Sequence, residues 1–118
     1  MNAKAYFAQA RSLPVQIQAK TKQLQAVRTL QEPLAALPED LAADITAEVQ
    51  AYAALQRQLQ TLIDSLPVPE YRTLLELRYL SGSKWEEIAE AMSMHVRWVY
   101  RMHGRALQAA QKILDAAK

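Results

Sequence analysis

Arg97, Tyr100, Arg101, Gly104, Arg105 and Gln108 recur at steps of three, one, three, one and three. At 100° per residue these six share one face of a helix. Val99, Met102, Ala106, Ala109 and Ile113 share the opposite face. From Ala91 to Leu114 the chain carries Arg97, Arg101, Arg105 and Lys112, two histidines and no acid. A solvated face usually mixes signs. A row of cations without a carboxylate suits a polyanion. Arg can bind guanine O6 and N7 with two bonds, and Tyr can meet a phosphate or a base edge. Arg97, Tyr100 and Arg101 are the expected base-edge contacts, and Arg105 and Lys84 the expected phosphate contacts. His95 and Val96 open the same helix and complete the set. Gly104 carries no side chain, which would let DNA approach the backbone closely. A helix over about 96–116 in the major groove of double-stranded DNA is the expected working part.

Other chemistries find less support. The chain has no cysteine, so disulfides, thiol nucleophiles and Cys-based zinc sites are excluded. Its two glycines, Gly82 and Gly104, cannot build a phosphate-cradling loop. His95 and His103 stand eight apart with no acid at ligand spacing on that helix, so no metal is expected. Glu86, Glu87 and Glu90 fit the favourable charge of a helix start and a solvated face. No nucleophile–base–acid set stands out. Neither an enzyme nor a cofactor is expected. No apolar run is long enough to span a bilayer, the first residues lack the pattern of a signal peptide, and no membrane role is expected.

The basic face needs elements to position it. Counted from Trp85, a twenty-residue helix-turn-helix window wants a small residue at its fifth position and apolar residues at five others. Ala89 fills the first, and Ile88, Met92, Met94, Val99 and Met102 fill the rest. Ser83-Lys84-Trp85-Glu86 reads as a capping box, with Ser83 and Glu86 exchanging bonds. Two residues depart from the usual window. Ser93 stands at the turn, where Gly fits a left-handed backbone, so lost stability or a shifted turn is expected. His95 stands where Ser or Thr often caps the second helix. Trp98 lies at the border of the two faces, and a core or interface anchor is the preferred reading over a base contact. Upstream, Pro67-Val68-Pro69 marks a break. Pro69 suits the first turn of a helix over Glu70 to about Leu80, ended by Ser81-Gly82.

Two longer patterns precede it. Tyr6, Ala10, Leu13, Ile17, Lys20, Leu24, Val27 and Gln31 alternate steps of four and three, the period of a coiled-coil seam. Leu41, Ile45, Glu48, Tyr52, Leu55, Leu59, Leu62 and Leu66 repeat the alternation. Pro14 interrupts the first seam, so a break or bend is expected near residues 11–14, with Ser12 capping a helix that runs to about Leu30. Glu32–Pro38 reads as a connector, and the second helix is expected from about Glu39. Residues 1–31 carry five bases and no acid, and residues 32–66 carry six acids and Arg57. The two helices are therefore charge-complementary. Lys20 and Glu48 either reach solvent at the seam edge or pair to fix the register. Pairing within one chain and between chains are both open. The expected fold is all-α: an antiparallel, coiled-coil-like long-helix hairpin over 1–66 for packing and oligomerisation, then a helix-turn-helix DNA-binding unit over 67–118.

Glu70-Tyr71-Arg72-Thr73-Leu74-Leu75-Glu76-Leu77-Arg78-Tyr79-Leu80, then Trp85-Glu86-Glu87-Ile88-Ala89, then Arg101-Met102-His103-Gly104-Arg105-Ala106-Leu107, resemble phage- and prophage-encoded proteins with a sigma-factor region-4-like helix-turn-helix. Tyr6-Phe7, Leu13, Ile17, Lys20 and Leu24 are similar to the leading helix of one such family. The resemblance implies a small transcription regulator similar to activators of late phage genes, acting in the cytoplasm of a bacterial host. It implies Arg97, Tyr100 and Arg101 as exposed recognition-helix positions and allows contact with RNA polymerase. A homo-oligomer is expected, a dimer before higher states. The alternatives are a DNA-packaging recognition subunit of the small-terminase kind and a protein-interaction module docking on polymerase.

Overall fold

The computed structural model describes residues 2–30 and 36–117, and the side chains of 27–30 and 36–39 are outside that description. Its described residues form helices and no strand: α1 (Ala3–Leu30), α2 (Ala36–Asp64), α3 (Pro69–Leu75), α4 (Trp85–Ala91) and α5 (Val96–Ala116). A π-helical segment, Glu76–Leu80, continues α3.

The expected break near residues 11–14 is absent, because α1 passes through Pro14 unbroken. Pro14 has no N–H to give the Ala10 carbonyl and would ordinarily kink the helix. Packing on both sides of it overrides that local preference. Phe7 and Ala10 are buried before it and Leu24 after it. Tyr6 donates a hydrogen bond to Gln58 of α2 at 2.9 Å, and Lys20 forms an ion pair with Glu48 of α2. These contacts run in opposite chain directions. Ser12 is not a cap; its hydroxyl donates to the Gln9 carbonyl at 3.4 Å. The cap is Asn2, whose Oδ1 accepts from the Ala5 N–H at 3.1 Å.

The second helix begins at Ala36 rather than near Glu39, so Pro38 falls in its first turn, where a missing N–H costs nothing. Gln31 and the connector residues 32–35 lie outside the described residues, as do the side chains of Val27 and Glu39. Along the α2 seam burial fades away from α5, while on α1 the seam positions Leu13, Ile17 and Lys20 are half-buried between buried Ala10 and buried Leu24. On α2, Leu55, Leu59, Leu62 and Leu66 are buried, whereas Leu41, Ile45 and Glu48 are half-buried. A compact chain of this length would have a radius of gyration of about 13 Å. The observed 18.0 Å reflects the length of α1 and α2.

One core gathers the other end. Phe7 of α1, Leu59 and Ile63 of α2, Leu74 and Leu75 of α3, Ile88 of α4 and Val99 of α5 are all fully buried within it. The first turn of α1 is also tied to α5, for the Ala3 N–H donates to Gln111 Oε1 at 2.6 Å.

Candidate nucleic-acid interface

Three short elements set the pose of α5. Pro69 opens α3, and the Arg72 guanidinium donates to the Leu66 carbonyl at 2.6 Å across the preceding break. The expected plain helix to Leu80 widens instead after Leu75, with the Ser81 N–H reaching the Glu76 carbonyl at 2.9 Å. Gly82 then takes a positive φ of 73°, which glycine adopts without a Cβ penalty, and the Ser83 N–H returns to the Leu77 carbonyl at 2.8 Å. The Ser83 carbonyl accepts from Arg78 at 3.1 Å.

These bonds keep Ser83 in the turn, so it does not cap α4. The cap position falls one residue later, on Lys84. Glu87, not Glu86, closes half of a box by accepting from the Lys84 N–H at 2.8 Å. Lysine has no acceptor to complete the other half.

The turn into α5 is not displaced. Ser93 sits at φ 54°, the left-handed region usually left to Gly, and the Met94 N–H donates to the Ala89 carbonyl at 2.9 Å. Left-handed backbone costs a residue with a Cβ roughly 1–2 kcal/mol. Ile88 and Ala89 are buried against Val99, while Met92, Met94 and Met102 are half-buried around them. His95 occupies the cap position of α5 with extended backbone and no side-chain cap bond.

Above this base α5 has two distinct faces. Val99, Ala106 and Ala110 are buried. Arg97, Tyr100, Arg101, Gly104 and Arg105 are exposed, as are His95 and Lys84. Val96 differs from the rest of the expected set: it is half-buried and packs on the core. Gln108 and Lys112 continue the exposed face. A Cβ at Gly104 would meet nothing within 4 Å, so the space over this stretch of helix is open. Trp98 is no core anchor. It is 50% exposed, and the Arg101 guanidinium lies over its ring at 4.9 Å from the centroid.

Periodicity does not reveal the cluster beneath. The Arg78 guanidinium lies 4.0 Å from the Trp85 ring centroid, and the Trp85 ring meets His103 and Tyr100 edge-on at 4.8 and 5.2 Å. His103 shares a 2.6 Å hydrogen bond with the Tyr79 hydroxyl, and Tyr79 packs on Phe7 at 5.0 Å. Burial, and then the nearby Arg78 and Lys4 charges, hold His103 below the ordinary histidine pKa. Burial raises the Tyr79 pKa. Burial and the neighbouring Arg11 lower that of Arg78. The inner side of α5 thus favours a neutral imidazole while its outer side carries fixed cations. Its ingredients, Tyr79, Trp85 and His103, stand in separate elements, and a one-dimensional pattern carries no signal for contacts between them.

No group of three or more His, Cys, Asp or Glu side chains able to hold a metal occurs among the described residues. No helix among them is long and apolar enough to cross a membrane.

Residues 56–109 match the family model described as Sigma-70, region 4. The matched span runs from Gln56 in α2 through α3 and α4 to Ala109 in α5, and leaves α1 outside. This part of the chain is similar to sigma-70 region 4, over less than half of the chain's length. Searches among curated proteins and among solved structures gave no match.

Proposed function

We propose that the chain is a sequence-specific DNA-binding transcription regulator of phage or prophage origin, which works on double-stranded DNA in the cytoplasm of a bacterial host. The observation that carries the reading is the exposed face of α5: Arg97, Arg101, Arg105 and Lys112 with no acid between Ala91 and Leu114. That face stands on a segment matching Sigma-70, region 4. Arg97, Tyr100 and Arg101 lie near the start of α5, the part of a recognition helix that meets base edges. Arg105, Lys84 and His95 are assigned to phosphate. Gly104 lets the duplex come close, and Val96 acts mainly by seating the helix. Residues 67–118 are the DNA-binding unit and residues 1–66 the packing and oligomerisation unit.

Selection of bound duplexes from random DNA tests the proposal. It should recover a defined motif, and a symmetric dimer should give half-sites ~34–36 Å apart. Recovery of random sequence would contradict sequence-specific binding.

A role in contacting RNA polymerase, alone or beside DNA binding, is favoured by the family match itself. In that reading the protein pulls down polymerase without added DNA, and failure to do so counts against it. A DNA-packaging subunit predicts a ring of many copies, which light scattering separates from a dimer.

A further inference from the structure

We infer that Trp98 is a specificity residue of the DNA interface: its indole packs against a thymine 5-methyl group and holds Arg101 ready for the neighbouring base. The inference rests on the DNA-binding reading above.

Of the two exposed aromatic side chains on α5, only one lacks a second element to lean on. Tyr100 is 49% exposed, but its ring meets Trp85 of α4 edge-on at 5.2 Å. Trp98 is 50% exposed, and its one ring contact among the described residues is the Arg101 guanidinium, three residues on along the same helix. Half an indole left in water is apolar area that α5 does not use for its own packing. Its position says what can cover it. Trp98 lies in the first turn of α5, between Arg97 and Arg101, within the acid-free stretch from Ala91 to Leu114. A partner that meets this ring must also accept two flanking cations. A DNA major groove does both, since phosphates and guanine edges take the cations and the thymine methyl supplies an apolar knob.

The cation–ring contact adds a second effect. An exposed Arg loses side-chain freedom when it binds. A guanidinium already resting on an indole loses less, and its edge stays free to donate while its face is occupied. Trp98 therefore acts on one base directly and on the next through Arg101.

The test uses the full chain and a duplex recovered by selection. Each thymine is replaced in turn by deoxyuridine, which removes the methyl alone. One thymine should stand out, with the wild-type protein binding its uracil version about fourfold more weakly, the effect of a single buried methyl-sized group. Trp98→Ala should bind the unmodified duplex at least tenfold more weakly and show no response to uracil at that position. Trp98→Phe should retain part of both. Thermal unfolding controls for the fold, and an exposed residue should leave it unchanged. A flat uracil series, or a Trp98→Ala protein that still senses the methyl, overturns the inference while DNA binding stands. Failure to select any duplex overturns the DNA-binding reading itself. Trp98 fluorescence that becomes shielded on raising protein concentration, and not on adding DNA, would assign the ring to a contact between copies and overturn the inference too.

Discussion

At the residue scale, Ser93 and His103 carry opposite kinds of cost. Ser93 holds φ 54° with a Cβ in place, so Ser93→Gly relieves strain in the folded state. The looser unfolded chain of the glycine variant offsets part of that relief. Ser93→Gly should stabilise the protein by roughly 0.5–1 kcal/mol, read from the urea midpoint at unchanged slope. An unchanged or lower midpoint would show that the turn bears no strain. His103 is held below 6.5 by burial first, with Arg78 and Lys4 adding to it. The unfolded chain therefore takes up a proton at a higher pH than the folded one. Stability from this group is intact above about pH 6.5 and declines as the pH falls below that value toward the lower folded pKa. Denaturation midpoints between about pH 7.5 and 5 should drop, and His103→Gln should flatten the drop. An equal slope in that variant would move the effect to another group.

At the element scale, α4 shows a compromise between stability and charge. Lys84 occupies its cap without an acceptor, while Glu87 already bonds back to the Lys84 N–H. Lys84→Ser completes the reciprocal box and should raise stability by about 1 kcal/mol. The same change removes a proposed phosphate contact, so DNA affinity should fall uniformly across sequences and the salt slope should shrink by about one. A variant that is more stable and binds equally well would remove Lys84 from the interface. Elements also differ in how legible they were in the sequence. The bounds of α5 could be read because its apolar and basic faces alternate without interruption from Val96 to Ala116. Those of α1 could not. Its cap is Asn2 and its first turn is anchored by Gln111, 108 residues away. Pro14 reads locally as a break, and only packing against α2 and the shared core keeps that helix whole. The cap of α4 slipped by one residue because the Gly82 turn claims both backbone groups of Ser83. The widened turn at Glu76–Leu80 is a choice among backbone partners that side-chain periodicity does not encode.

At the scale of the whole molecule, the proposed units share one core. Phe7 and Leu59 are buried together with Leu74, Ile88 and Val99, so the start of α1 and the end of α2 pack with the base of α5. Away from that core the seams are half open, and Val15 and Val49 are 65% and 45% exposed. The basic α1 and acidic α2 would let a second copy cover them with opposite charge. Light scattering should give about twice the 13.3 kDa chain mass, whereas a monomer at micromolar concentration would contradict the dimer proposal alone. The central claim is that the outer face of α5 binds DNA. The most direct measurement is the affinity of a selected duplex at a series of salt concentrations, for the wild type and for Arg97→Ala combined with Arg101→Ala. The account predicts tight wild-type binding at ~50 mM salt, a logarithmic slope near −0.9 for each phosphate contact, and loss of ~1–3 kcal/mol for each base contact removed in the variant. Identical curves for the two proteins, or no binding at low salt, would contradict it.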